Sequence, residues 1–163
     1  MIILGIDPGI AIVGWGVIEF EGNKMKPLAF GAITTPAHTP VTDRLKKIYD
    51  DLAMIIDKYH PDAVAVEELF FNTNVKTAIT VAHARGIVLL CAAQKGVADF
   101  EYTPLQVKQA LTGYGRAEKT QIQNMVKIML GLNAVPKPDD VADALAIAIC
   151  HAHSHNLSSK GYI

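Results

Sequence analysis

Apolar residues come first in short continuous runs and then, from about residue 42, mostly in longer stretches of helical spacing. Ile2–Ile6 reads as a buried strand closed by the turn-forming Asp7-Pro8-Gly9. Val13–Glu19 and Pro27–Thr34 read as two further strands, and Glu21-Gly22-Asn23 between them predicts a hairpin. Leu45, Ile48, Leu52, Ile55 and Ile56 then recur at helical spacing, with Thr42 or Asp43 as cap and Tyr59 as the end. Ala63–Val66 is short and wholly apolar, as suits a parallel strand covered on both faces. A helix follows from Thr73 or Asn74 to about Gln94; its later half, GIVLLCAA, is apolar all round, implying burial on two sides or a subunit contact. Val97–Tyr102 is a fifth strand. Pro104–Leu111, Ala117–Leu130 and Asp139–His153 read as helices, separated by Gly113-Tyr114-Gly115 and the Pro136/Pro138 pair. The order predicts an α/β fold, a mixed five-stranded sheet with helices on both faces.

Half of the 163 residues are hydrophobic, enough for one domain spanning 1–163 with a substantial core. Residues from about 156 onward are expected to be flexible. The starting MIIL is too short for a signal segment, and no uncharged run is long enough to span a bilayer, which predicts a cytosolic protein. Cys91 and Cys150, both in apolar surroundings, fit buried free thiols. The net charge of −1 hides an uneven distribution. Residues 1–68 carry ten acids and six bases, whereas residues 69–117 carry five bases and two acids. A basic middle beside acidic ends suits phosphate binding near a cation.

Four acids sit at the ends of apolar segments: Asp7, Glu67, and the pair Asp140 and Asp143. A carboxylate at the edge of a core is destabilising unless a cation or hydrogen bonds compensate it. Each has a structural alternative. Asp7 can bond its own turn, Asp139 and Asp140 can cap a helix, and either Glu67 or Glu68 can be the inward acid. Asp143 is the hardest to dismiss, because VADALAIAIC carries no other charge. Gathered together, such acids form an all-oxygen site for magnesium or manganese. Phosphodiester cleavage by in-line displacement uses two ions about 3.5–4 Å apart, one activating water and one stabilising the leaving oxygen. Asp7 is then the bridging candidate, with Glu67 flanking one ion and Asp140 and Asp143 holding the other.

GIDPG, VEELFF, QVKQALTGYGRAEK and PDDVADALAIAICHAH, in that order from Met1 to about His153, resemble the RuvC family of Holliday-junction resolvases. The resemblance implies a ribonuclease H-like fold, a homodimer, two Mg²⁺ ions per subunit with Mn²⁺ as a substitute, and paired nicks in a four-way DNA junction. It also implies partnership with the RuvA–RuvB branch-migration machinery. By position it puts the catalytic, metal-holding acids at Asp7, Glu67, Asp140 and Asp143, choosing Glu67 over Glu68 and Asp140 over Asp139. It puts DNA contacts at Lys108 and Lys119, and an aromatic near the junction at Phe70. Of the adjacent Phe70 and Phe71 one reads as core, and Phe70 reads as stacking on an unpaired or splayed base or as that core residue. Arg116, beside the Gly113-Tyr114-Gly115 turn, joins them as a phosphate contact or a solvated charge.

Two other functions compete. A sugar-kinase or actin-like phosphate-binding unit also starts with strand-Asp-x-Gly, but it predicts hydroxyl-bearing residues where Ile10-Ala11-Ile12 stand, and a longer chain. A non-catalytic junction-binding scaffold predicts a broken acid set. Gly14 and Gly16 allow close approach of substrate or of a neighbouring helix. His151, His153 and His155 read as a fraying helix end, not a zinc site.

Overall fold

The structure, a computed structural model, describes residues 1–69 and 74–159, the side chains of 156–159 excepted. Five strands, β1 (Ile2–Asp7), β2 (Ile12–Glu21), β3 (Lys24–Thr34), β4 (Ala63–Glu67) and β5 (Ala98–Tyr102), form one sheet of order β3-β2-β1-β4-β5. β1, β2 and β3 are antiparallel neighbours, while β4 and β5 run parallel to β1. The hairpin is longer than its sequence pattern predicts: Glu21 pairs with Lys24, and Gly22 takes the positive φ of 62° that closes the turn. Pro27 is tolerated inside β3 because β3 is an edge strand and the register shifts at Val17/Ile18.

Alternation sorts the side chains to two cores. Leu4, Ile6, Val64 and Val66 face α1 (Val41–Tyr59) and α2 (Val75–Gln94). Ile3, Ala65 and Tyr102 face α5 (Asp139–Ser159), outside which lie α3 (Pro104–Thr112) and α4 (Lys119–Met129). α1 starts at Val41 behind Pro40, so Thr42 and Asp43 lie in its first turn and do not cap it. Asn74 does cap α2, accepting from the Lys76 N–H at 3.0 Å.

α5 is the central helix. Nearly everything from Val141 to Ala152 is buried, Asp143 being half exposed, because α5 has the sheet on one side and α3 and α4 on the other. Burying Leu145, Ile147 and Ile149 stabilises the fold by about 1.5–3 kcal/mol each. Glycines let it sit unusually close to the sheet. A methyl group on Gly5 would strike the Ala144 carbonyl, one on Gly14 the Asp140 carbonyl, and one on Gly16 the Leu145 side chain. The neighbour that Gly14 and Gly16 admit is therefore a helix. α5 also runs beyond the expected His153 to Ser159, so residues 156–159 continue the helix; residues 160–163 lie outside the described residues.

Candidate active site

Ile6 lies level with Val66 in the parallel β1–β4 ladder, so Asp7 and Glu67 end neighbouring strands at the same height. By alternation both side chains share the face of Gly5 and Ala65, which α5 covers. Glu68 is exposed, one residue past the strand. Gly14 pairs with Asp7 across the β1–β2 ladder, and the Asp140 backbone rests on Gly14. Asp140 is thereby held above the end of β1, with Asp143 about one turn further along the same helix face. All four predicted acids thus converge.

Their charges oppose one another. The Asp7 carboxyl is pushed up to about 8, first by burial and then by Asp143, Glu67 and Asp140, with Lys119 opposing. Glu67 is raised by burial and by Asp143. Asp143 is raised by burial although Lys119 pulls it back. Lys119 Nζ lies 3.2 Å from Asp143 Oδ2 and 3.6 Å from Asp139. Burial works to lower this ammonium, but the carboxylates, Asp143 foremost, outweigh it and hold it above its ordinary value. Lys119, expected as a DNA contact, is thus the cation already facing the acids. Asp139 is paired to Lys137 at 2.8 Å, whose hydrogen bond holds it below the usual carboxylate range.

Lys108 and Lys119 border a cleft of about 290 Å³ that reaches Glu67 and Asp143. Arg116 is exposed and is not among the residues lining it. Phe70, expected to stack on a base, lies outside the described residues. The histidines differ from expectation: His151 is 2% exposed and lies 2.7 Å from the Tyr102 hydroxyl through Nδ1. Burial, followed by His155, holds its ring down at about 4. His153 Nδ1 is bonded to the Ala110 carbonyl at 2.9 Å. These rings fasten α5 to β5 and α3.

One bracing element had no signal in the sequence. Thr35 Oγ1 donates to the Ile10 carbonyl at 2.5 Å and its N–H to the Ala11 carbonyl at 3.0 Å. Arg44 Nε donates to the same hydroxyl at 2.8 Å. The loop following Asp7 is therefore tied to β3 and α1, through residues whose types announce nothing.

A sheet of this order with carboxylates at the ends of its central strands defines a ribonuclease H-like enzyme architecture. The profile of the family described as crossover junction endodeoxyribonuclease RuvC matches residues 3–151. A relative of that name from Alkaliphilus oremlandii is 64% identical over 97% of this chain and 96% of its own. The Thermus thermophilus RuvC structure superposes with a TM-score of 0.91 at 40% identity, covering 97% of each chain. The T. thermophilus RuvC structure in complex with Holliday junction substrate gives 0.89 at 38%, covering 98% of each. The yeast mitochondrial Holliday junction resolvase, at 14% identity and a TM-score of 0.63, shares the fold. This chain belongs to the RuvC family of crossover junction endodeoxyribonucleases.

Nucleases of this family depend on a divalent metal. The acids fit such an ion in chemistry: they are hard oxygen donors, and Asp7, Glu67 and Asp143 are raised first by burial and then by neighbouring acids, with Lys119 opposing only in part. As they stand, no three of the described His, Cys, Asp or Glu side chains are drawn into a coordination cluster. Asp143 is turned to Lys119.

Proposed function

We propose that this chain resolves Holliday junctions, nicking two opposing strands symmetrically, with Asp7, Glu67, Asp140 and Asp143 holding two Mg²⁺ ions per subunit or Mn²⁺ in their place. The observation that carries this reading is the convergence of four acids at one site, where burial first and then the repulsion of the other three lift Asp7 to about 8. Bound divalent ions supply water activation and stabilisation of the leaving oxygen. Asp7 on the central strand, together with Glu67, Asp140 and Asp143, would hold these ions. Lys119 leaves Asp143 and, with Lys108 and Arg116, meets DNA phosphates. Phe70 keeps its proposed stacking role. No residue is needed as a covalent nucleophile.

The reading extends to a single 1–163 domain acting in the cytosol as a homodimer, because two symmetric cuts suit a two-fold enzyme, and to junction delivery by RuvA–RuvB. α2 supports the dimer. Among the described helices it alone has the length and apolar composition to cross a membrane. Its Ala84, Val88, Cys91 and Ala92 are buried within the subunit, while Val75, Ile79 and Leu90 are exposed.

A synthetic four-way junction incubated with magnesium tests the activity. Paired symmetric nicks are expected from the wild type and none from Asp7→Asn, with binding in calcium retained by both. Cleavage surviving in Asp7→Asn removes Asp7 from the centre of the site.

A further inference from the structure

The cleft beside the carboxylates is lined by more hydrocarbon than grasping a phosphate requires. At about 290 Å³ it approaches the size of pockets that enclose small ligands, about 300 Å³ and upward. Val107 of α3, Ile122 of α4, and Ala146 and Ile147 of α5 line it and are buried, so they form the floor. Lys108 is half buried and Lys119 exposed, so the cations stand at the mouth. Glu67 and Asp143 join this space to the acid cluster.

These chemistries select an occupant. A phosphate is excluded from the floor, which offers it only hydrocarbon and is bordered by two carboxylates. A flat, uncharged ring suits the floor, and phosphates attached to it would meet Lys108 and Lys119. The phosphate undergoing cleavage at the acids is covalently tied to a nucleoside on either side, and the cleft opens directly from the acids. We propose that the cleft receives the base of one nucleotide flanking the cut phosphate, turned out of its stack. This rests on the resolvase reading above and adds to it a base-seating pocket whose floor is Val107, Ile122, Ala146 and Ile147. Bases at an unpaired or distorted crossover are the ones most easily turned out.

The test places 2-aminopurine on one side or the other of the cut phosphate in a junction, with calcium holding the complex uncut. Among the described residues no aromatic side chain lines the cleft, so a base seated on its hydrocarbon floor loses the stacking partners it has in the duplex. Fluorescence at one of the two positions is expected to rise several-fold on binding. Ala146→Met, which fills the floor, is expected to slow cutting of the intact junction by about tenfold. An abasic residue at the responding position should recover most of that loss. Val107→Met is the second variant, and melting curves report whether each folds; if neither does, the wild-type fluorescence decides alone. A wild type that cuts the junction without a fluorescence change at either position overturns this proposal and leaves the resolvase reading standing. Equal losses on intact and abasic junctions also overturn it, assigning the cleft to packing or to another ligand. A wild type that cuts no junction sinks both readings.

Discussion

Asp7 sits where repulsion from three other acids adds to its burial, and that has a thermodynamic consequence. Its carboxyl titrates at about 8 in the metal-free fold against 3.8 unfolded, so the folded state prefers the protonated form. The stabilisation is complete below about pH 4 and is lost as pH rises through about 8. Asp7→Asn removes this dependence. At pH 8 without metal it is expected to be more stable than wild type by about 1–3 kcal/mol, or roughly 2–12 °C in Tm. Calorimetry with and without EDTA checks this, and a less stable Asp7→Asn at pH 8 would contradict it. Divalent ion uptake should release protons below pH 8 and strengthen toward it. At this scale the sequence was legible for the four acids, since each interrupts or ends an apolar segment. It was silent on Glu67 against Glu68 until strand pairing showed which acid shares a face with Asp7. It was silent too on the Lys119–Asp143 contact, which joins α4 to α5 across a distance no local pattern encodes.

Among the elements, α5 and β2 position the site, and their contact depends on a missing side chain. Gly14→Ala forces a methyl into the Asp140 carbonyl, a backbone atom that moves only if the helix start moves. Overpacking of this kind costs about 1–3 kcal/mol. The expected result is a lowered melting temperature together with a larger loss of cleavage than the unfolded fraction explains, since Asp140 shifts. Cleavage that falls only in step with stability would separate Gly14 from the site's geometry. Element types were readable because the period changes from short apolar runs to helical spacing, and the Pro and Gly breaks stand between them. The ends were less so. β3 begins at Lys24, ahead of its apolar stretch, and α5 passes through three histidines that look like a terminus. Tyr102 and Ala110 hold two of those rings, a long-range fact that composition does not carry.

For the molecule as a whole, the all-round apolarity of α2 has two sources. Val88 is fully buried against the subunit's own core, so replacing it tests folding, not assembly. Leu90, 48% exposed, is the informative position. Leu90→Glu is expected to shift the species seen by sedimentation from dimer toward monomer while leaving the melting transition of the monomer intact. A dimer unchanged by Leu90→Glu would move the contact elsewhere. Periodicity indicated two-sided burial along α2 without saying which residues meet which partner; only the positions of the sheet and α1 divide them.

One helix, α5, supplies both Asp140 with Asp143 and the hydrocarbon that joins the sheet to α3 and α4. Wear in that seam will therefore surface as lost chemistry before it surfaces as lost solubility. Mild lesions at Leu145 or Ile149 should behave as heat-sensitive enzymes, intact in appearance at permissive warmth yet idle a few degrees higher.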